Sequence, residues 1–269
     1  MKKTLLFALM LETLFVFSSC DNTAVRDMQD RVDELEARLA AMEQEQQTSN
    51  GSSNNQSSTT PSGSSQSSVS GTIDGHDYVD LGLPSGTLWA TCNVGANSPE
   101  EYGEYFAWGE TSPKSDYSWS TYQYGLSSSA LTKYCNNSSY GKNGFTDNKT
   151  VLDAEDDAAT VNWGSGWRIP TLEEILELYD SCFRIWTTQN GVKGRKFTAL
   201  NGNSIFLPAA GYYDGSGLSR AASSGYYWSS SLGTYGPTDA HGLSFALGEM
   251  ICRDYRLRYY GWSVRPVVR

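Results

Sequence analysis

The feature that most constrains the fold is an uncharged, low-complexity segment that divides the chain in two. Residues 48–70 consist almost entirely of Ser, Asn, Gly, Thr and Gln. Such a composition buries too little apolar surface to form a core, so we predict a flexible linker with a root-mean-square span of roughly 25 Å. Residues 71–269, which follow it, are long enough for one domain with a sizeable core.

The first 19 residues resemble the signal peptide of bacterial lipoproteins. A basic MKK start precedes a mostly apolar run that closes on FSSC. In that family the chain is cut before the cysteine, here Cys20, which then carries lipid. Two or more acyl chains anchor a protein stably, so we expect attachment at the outer membrane or cell surface. An uncleaved transmembrane helix is disfavoured because the run is short and contains Glu12; plain secretion is the remaining alternative.

Residues 20–47 contain the lipidation site and predict a coiled-coil stalk. Apolar residues alternate at spacings of three and four, as positions a and d of a heptad do. These residues are Val25, Met28, Val32, Leu35, Leu39 and Met42. The segments RVDELE and RLAAME resemble the signature of parallel trimeric coiled coils. An isolated helix of this length is marginal in water, so we expect a homotrimer, with a dimer as the alternative.

Frequent turn residues and the lack of long helical patterns predict that residues 71–269 form short strands, many loops and few helices. One helix is predicted after Thr171, which forms a capping box with Glu174. Its core-facing stripe is Leu172, Ile175, Leu176 and Tyr179. A second helix is predicted from Ser98 in SPEEYGEYFAWGE.

Strand pairs are predicted on either side of two turns, in RKFTALNGNSIFLPAAG and in SFALGEMICRDY. The first pair surrounds Asn201-Gly202, and the second surrounds residues 247–249. A last strand is predicted at residues 261–268, where Pro266 restricts it to a sheet edge or a bulge.

Residue types that commonly carry catalysis or bind metals are sparse. His76 and His241 are the two histidines, and no local spacing joins them to carboxylates or cysteines. We therefore predict neither a zinc site nor a histidine general base. Residues 153–159, DAEDDAA, suggest either calcium or, as we favour, an acidic helix N-terminus. We expect no catalytic residue, no bound metal and no cofactor.

Four cysteines follow Cys20 in the sequence. An even number in an exported domain allows disulfides with three possible connectivities. Four buried thiols are the alternative, because free cysteine packs well in cores. We expect at least one bridge among Cys92, Cys135, Cys182 and Cys252.

The C-terminal segment RDYRLRYYGWSVRPVVR, residues 253–269, concentrates arginine and tyrosine in a chain of formal net charge −10. Such a run can bind single-stranded nucleic acid by pairing with phosphates and stacking on bases. The acidic molecule as a whole repels a polyanion, however, so we expect no nucleic-acid partner. Tyrosine offers broad amphipathic contact and arginine a rigid fork of donors, and both are enriched at binding hot spots.

We predict that this segment divides into core residues and displayed residues. Trp262 and Val264 should pack in the core, as should Trp228 earlier in the chain. Arginines are almost never fully buried without partners. We therefore expect the arginines of RDYRLRYY to face outward, namely Arg253, Arg256 and Arg258.

Several motifs occur in the order found in a known family. GWRIPTLEEILEL, GYYWSSS and GWSVRPV, together with LWATCNVGA, EYFAWGE and NSIFLPAAGY, resemble the Fibrobacter succinogenes major paralogous domain of Bacteroides-type lipoproteins over residues 73–269. The resemblance implies an α+β, C-type-lectin-like fold of the formylglycine-generating-enzyme type. We expect a small twisted antiparallel sheet, two helices, long loops and neighbouring N- and C-terminal strands.

Two functions occur on that fold. Formylglycine-generating enzymes use two C-terminal cysteines with copper to oxidise a substrate cysteine, and here only Cys252 lies in that region. Variable proteins of diversity-generating retroelements bind ligands through a C-terminal region that is rewritten at adenine-containing codons. The constant frame of that region is matched by Gly261, Ser263, Val264, Arg265 and Pro266.

The resemblance to variable proteins, with the chemistry of the C-terminal segment, gives our predicted ligand-binding residues. They are Tyr235, Asp239, His241, Arg253, Asp254, Tyr255, Arg256, Arg258, Tyr259 and Tyr260. We predict a lipid-anchored envelope protein, not an enzyme, that binds a protein or glycan bearing acidic groups. Three heads on one stalk would raise its apparent affinity for a repeating target. A copper and cysteine oxidase, or a structural fibre or adhesin subunit, is the alternative.

Overall fold

The computed structural model describes residues 69–268, and for residues 249–254 it describes the backbone alone. The predictions for the signal peptide, Cys20 and the stalk lie outside the described residues, as does the linker up to residue 68. The described part is mostly β-sheet with few helices, as the pattern of short strands and dense turns predicts.

Fourteen strands and two α-helices make up the regular structure of residues 69–268. The strands are β1 (Gly71–Ile73), β2 (His76–Val79), β3 (Leu88–Ala90), β4 (Tyr105–Phe106), β5 (Cys182–Gln189), β6 (Val192–Ala199), β7 (Ser204–Pro208), β8 (Tyr212–Asp214), β9 (Gly217–Ser219), β10 (Ser224–Leu232), β11 (Asp239–Ala246), β12 (Glu249–Leu257), β13 (Trp262–Ser263) and β14 (Val267–Val268). The helices are α1 (Ala158–Trp163) and α2 (Leu172–Ser181). Short 3-10 turns occur at Trp119–Thr121, Lys142–Gly144 and Ala154–Asp156.

The strands form three sheets and a separate hairpin. The first sheet has the order β1-β2-β3-β14, so the first and last described strands share one sheet, as expected. The central sheet has the order β12-β11-β10-β13-β4, in which only β10 and β13 run parallel. The third sheet has the order β5-β6-β7, and β8 pairs with β9 alone.

The central sheet separates two apolar clusters, because successive side chains of a strand point to opposite faces. Trp228 of β10 lies in one cluster with Trp262, and their stacked rings are 4.2 Å apart. Tyr227, the preceding residue, packs with Phe245 in the other cluster. The predicted burial of Trp228, Trp262 and Val264 is confirmed.

Helix α2 confirms the predicted capping box. The Thr171 hydroxyl accepts from the Glu174 backbone N–H, and the Glu174 carboxylate accepts from the Thr171 N–H. The buried face is rotated from the predicted stripe, since Ile175 and Leu178 are buried while the other three stripe residues are half-buried. Glu174 is itself buried, because it forms an ion pair with Arg168.

The predicted helix from Ser98 is wrong: residues 98–101 form a bend and a turn, residues 102–104 are irregular, and Tyr105–Phe106 is strand β4. Gly103 has a φ of 70°, and a Cβ there would lie 2.4 Å from the Val94 carbonyl oxygen. This backbone cannot continue a right-handed helix. The acidic residues after Pro99 match the pattern of a helix N-terminus, but Tyr105 and Phe106 pair with β13 in the central sheet.

Both predicted strand pairs are confirmed, as β6 with β7 and β11 with β12. The last predicted strand is divided into β13 and β14, which belong to different sheets. Residues 264–266 carry the chain between them. Pro266 has no N–H to donate to a ladder, which suits this crossing point.

Candidate functional site

The prediction that Arg258 is displayed is wrong, because its side chain is completely buried. Its guanidinium donates from Nε to the Tyr122 hydroxyl at 2.9 Å. It also donates to three backbone carbonyls at 2.7–3.0 Å, those of Lys133, Tyr134 and Pro237. The plane lies over the Trp108 ring at 5.1 Å. Burial is tolerated because the donors are partnered and aromatic rings face the cation.

Arg265 has a similar structural role in the next segment. Its Nε donates to Asn93 Oδ1 at 2.9 Å, and the other nitrogens donate to three carbonyls at 2.7–3.0 Å. Those carbonyls belong to Ala90, Thr91 and Phe206. Burial lowers the pKa of Arg265, but an arginine remains charged in proteins. Two arginines of the C-terminal segment therefore hold the fold together.

A pocket of about 160 Å³ opens beside the central sheet, where the predicted site residues Arg256 and Tyr260 meet residues from earlier in the chain. We call it the two-arginine pocket. Its lining is Tyr212, Arg220, Ser224, Tyr226, Ser244, Phe245, Ala246, Arg256, Tyr260 and Trp262. Among these described residues there is no carboxylate, and two are arginines.

The pocket is assembled by docking the β8–β9 hairpin onto the turn that follows β12. Tyr213 and Gly261 exchange backbone hydrogen bonds of 2.9 and 3.1 Å. Gly261 allows this approach, since a Cβ there would lie 2.7 Å from the Tyr117 ring. Tyr212 is thereby placed with its ring centroid 5.5 Å from that of Tyr260.

Tyr226 and Trp262 continue this aromatic wall. The Tyr226 ring lies 4.9 Å from the Tyr212 ring and 5.2 Å from the Trp262 ring, measured between centroids. Such tilted and edge-on contacts favour a fixed arrangement of the rings. The wall is therefore preorganised on a strand, a hairpin and a hydrogen-bonded turn.

The two arginines act on this wall electrostatically. Burial raises the pKa of Tyr226, and the charge of Arg220 and, more weakly, that of Arg256 oppose this rise. Both arginines line the same pocket as this phenol. Burial likewise raises the pKa of Tyr260, so its hydroxyl stays a neutral donor and acceptor. The pocket thus combines positive charge, aromatic surface and neutral hydroxyls.

Arg220 is held in a conformation that side chains rarely adopt. Its φ is 58°, in the left-handed region. The backbone N–H groups of Ser223 and Ser224 donate to its carbonyl, at 3.1 and 3.0 Å. Its side chain is exposed. Strained non-glycine residues cluster at binding sites.

A second group of predicted site residues lies apart from the pocket. Tyr255 precedes Arg256 on β12, where alternation places their side chains on opposite faces of the sheet. The Tyr255 ring is 5.0 Å from that of Tyr235, and Tyr235 is 80% exposed. We call these two residues the tyrosine pair.

His241 and Asp239 are less accessible than a displayed surface requires. His241 is buried beside the tyrosine pair, with Nε2 2.7 Å from the Thr234 hydroxyl oxygen. Asp239 is half-buried and accepts from the Thr238 hydroxyl at 3.0 Å, and burial raises its pKa. His241, a predicted ligand-binding residue, is therefore turned inward on strand β11.

Tyr259 lies beside the pocket rather than in it. Its half-buried ring is 4.8 Å from Tyr260 and 5.2 Å from Trp119, and burial raises its pKa. Arg253 and Asp254 lie on β12, where Asp254 pairs with Gly242. Their side chains are outside the description, so their predicted role stays a prediction.

The acidic stretch at residues 153–159 is organised around a lysine. Asp153, Glu155 and Asp156 bring carboxylate oxygens within 4.8 Å of one another, a spacing that a metal ion could use. Lys133 Nζ lies 3.2, 3.0 and 2.5 Å from these three carboxylates. Asp157 caps helix α1 by accepting from two backbone N–H groups. The favoured interpretation, a helix N-terminus, is confirmed for Asp157 alone, because the first turn of α1 contains no acidic residue and the other carboxylates precede the helix.

The cysteines described with side chains are free thiols. They are Cys92, Cys135 and Cys182, and the last two are buried. The expected disulfide is therefore not found among them. Burial raises the pKa of Cys182 to about 11, which makes its thiol unreactive at neutral pH. Cys252 lies on β12, where the structure describes the backbone alone.

The pocket residues that sequence reasoning missed are mainly Tyr212, Arg220 and Tyr226. A signal was present in YYDGSGLSR, residues 212–220, where tyrosines precede a glycine turn and an arginine follows it. The contact of this segment with Tyr260 depends on the backbone bridge between Tyr213 and Gly261, which local sequence patterns do not reveal.

The fold and the pocket define the described residues as a β-sheet domain with few helices and a cationic, aromatic pocket. Comparison of the chain with protein-family models, with curated proteins and with solved structures finds no match. Within residues 69–268, no helix is both long enough and apolar enough to span a membrane.

Proposed function

We propose that this protein is a ligand-binding module, and that its ligand enters the two-arginine pocket. The observation that carries the proposal is that Arg220 and Arg256 line one pocket together with four aromatic residues of its wall, Tyr212, Tyr226, Tyr260 and Trp262. Concave sites with a few convergent polar groups are the usual ligand sites of proteins. We propose binding rather than catalysis as its activity.

The tyrosine pair supports a recognition surface larger than the pocket. An exposed aromatic side chain contributes broad contact area with few rotors to immobilise. Tyr235 and Tyr255 are 80% and 42% exposed, and β12 carries Tyr255 next to Arg256. A protein or glycan that reaches around the edge strand β12 would contact both the tyrosine pair and the two-arginine pocket.

We further propose that the domain is a C-type-lectin-like head of the formylglycine-generating-enzyme type, displayed on a lipid-anchored trimeric stalk. The pairing of β14 in the sheet of β1–β3 supports this fold, as do the two helices and the long loops. Diversification of the C-terminal region by a retroelement belongs to the same proposal. A copy of the gene's 3′ end that differs at adenines, beside a reverse transcriptase gene, would support it.

The test uses arrays of glycans and extracellular proteins probed with the labelled full-length chain. We expect retention on particular spots, and loss of that retention in the double variant Arg256→Ala/Tyr260→Ala. The matched control is Lys142→Ala/Lys193→Ala, which changes two exposed side chains distant in sequence from the pocket residues. Equal retention of both double variants, or no retention of the wild-type chain, would contradict the proposal.

A further inference from the structure

We propose that two copies of this protein associate through strand β5, each copy adding its strand to the sheet of the other in antiparallel orientation. This association is independent of the proposed function, because β5 lies in the third sheet and contributes no residue to the two-arginine pocket. Three features of β5 support it, namely an open backbone edge, exposed apolar side chains and a sparse charge pattern.

The outer edge of β5 is open. In the part of the chain that the structure describes, β5 pairs with β6 alone. Asn190 and Gly191, with φ of 47° and 84°, form the two-residue turn between them, and the pair of residues that closes such a turn is hydrogen-bonded. Hydrogen-bonded and non-bonded pairs alternate, so the backbone groups of Arg184, Trp186 and Thr188 point away from β6. These groups have no backbone partner among the described residues.

The opposite edge of this sheet, by contrast, is covered. Strand β7 is buried throughout. Arg265 donates to the Phe206 carbonyl at 2.9 Å, and the Tyr227 hydroxyl donates to the Pro208 carbonyl at 2.6 Å. Proteins usually protect an edge strand by making it short, by proline, by a bulge, by charge or by a covering element. In the described chain β5 is unpaired at its edge, has eight residues and no proline, and pairs with β6 in unbroken register.

The solvent face of β5 carries apolar side chains that a second copy would cover. Phe183 and Ile185 alternate on this face, and each is 55% exposed. If two copies pair about a two-fold axis at Ile185, this residue faces its own copy in a non-hydrogen-bonded pair, the closer of the two kinds. Phe183 of each copy then lies diagonally beside Ile185 of the other. The joint therefore gathers four apolar side chains on one face.

Charge permits the pairing of identical strands. Arg184 is the one charged residue of β5, and its guanidinium lies 3.7 Å from the centroid of the Tyr179 ring. About an axis at Ile185, Arg184 faces Trp186 of the other copy, so like charges are not opposite each other. Lys196 pairs with Ile185 on β6. It would lie three strand spacings, about 14 Å, from its own copy, beyond the physiological Debye length of about 8 Å.

The size of the joint predicts a weak association. A stable interface takes about 20–30 residues from each side and buries about 1,200–2,000 Å², whereas β5 supplies eight residues from each copy. We therefore expect reversible pairing that increases with protein concentration, not a permanent dimer.

Sedimentation velocity of the full-length chain, from low to high micromolar concentration, measures this association. The mean sedimentation coefficient of the wild type should rise with concentration above that of its smallest species. Ile185→Lys should weaken the association about tenfold or more, because it removes an apolar pair and places like charges opposite each other. Leu126→Lys makes a similar change at a loop residue that is 71% exposed, and it should associate as the wild type does.

Two outcomes of this experiment would overturn the inference. One is equal association of Ile185→Lys and Leu126→Lys, which would show that β5 is not the joint. The other is a wild-type chain that keeps the size of its smallest species throughout, which would exclude a second copy as the occupant of this edge.

Variants of complementary charge test whether the contact is two-fold. Ile185→Glu alone should associate as weakly as Ile185→Lys. An equal mixture of the two variants should associate again, because opposite charges then face each other across the axis. Loss of folding or a general apolar attraction would not produce this recovery, and unchanged melting temperatures show that both variants are folded. A mixture that associates no better than either variant alone would refute the antiparallel pairing.

Discussion

Arg258 and Arg256 lie two residues apart, but Arg258→Ala should destabilise the fold whereas Arg256→Ala should leave its stability almost unchanged. The Arg258 guanidinium donates four hydrogen bonds to buried groups, at Tyr122, Lys133, Tyr134 and Pro237. Arg256 is exposed, and one of its hydrogen bonds goes to the neighbouring Tyr255 carbonyl. The first arginine is therefore structural, whereas we assign the second to ligand binding.

The magnitude follows from the acceptors that Arg258→Ala leaves behind. A buried acceptor without its donor costs about 1–3 kcal/mol. We take a cost near the lower limit of that range for each of the four acceptors, because water reaches some of them. Their sum is a loss of about 3–5 kcal/mol in the free energy of unfolding. With a urea slope of about 2–3 kcal/mol per molar, the unfolding midpoint should fall by about 1–2 M.

Urea unfolding of the full-length chain, followed by tryptophan fluorescence, measures this difference. Arg256→Ala should stay within about 0.5 kcal/mol of the wild type. Arg258→Lys should be nearly as destabilised as Arg258→Ala, because a single ammonium cannot reach the acceptors that the guanidinium fork spans. Equal midpoints for Arg258→Ala and Arg256→Ala would refute the structural role that we assign to Arg258.

Three further predictions concern other parts of the chain. His76 stacks on Trp163 at 3.7 Å between ring centroids, and burial lowers its pKa against the opposing charges of Asp74 and Asp77. Neutral His76 therefore contributes stability above its ordinary pKa of about 6.5, and this contribution is lost as the pH falls below that value. In His76→Phe the urea midpoint should fall less between about pH 7 and pH 5 than it does in the wild type. An equal fall in the two proteins would contradict this. Thr171→Ala should lower the free energy of unfolding by about 1 kcal/mol through loss of the α2 cap, whereas Thr171→Ser should not; circular-dichroism melts that rank the two variants equally would count against the cap. Cys20→Ser should move the full-length chain from the membrane to the soluble fraction, and an unchanged partition would exclude lipid anchoring at that residue.

Sequence patterns predicted the elements whose signals are local. The capping box of Thr171 and Glu174 and the glycine turns between paired strands are set by residues within a few positions of one another. The burial of Trp228 and Trp262 followed from their size and apolar character. These features depend little on the rest of the fold, so the sequence predicts them well.

Features set by distant contacts were not predictable in this way. Arg258 is buried because carbonyls from residues 133, 134 and 237 surround it, and no local pattern shows where those groups lie. The helix expected from Ser98 failed for a similar reason, since Tyr105–Phe106 pairs with β13 near the end of the described chain. The composition correctly indicated that the C-terminal segment is unusual, but some of its residues are buried in the fold and others are exposed at the surface.

The most direct test of the two-arginine pocket compares two double variants with the same net charge. Arg220→Gln/Arg256→Gln removes both pocket cations, and Lys142→Gln/Lys193→Gln removes two exposed cations elsewhere. Retention of each labelled full-length variant is measured on arrays of glycans and extracellular proteins, at the spots that retain the wild-type chain. Our account predicts that retention is lost in the arginine variant and kept in the lysine variant. Comparable retention of the two variants would contradict it.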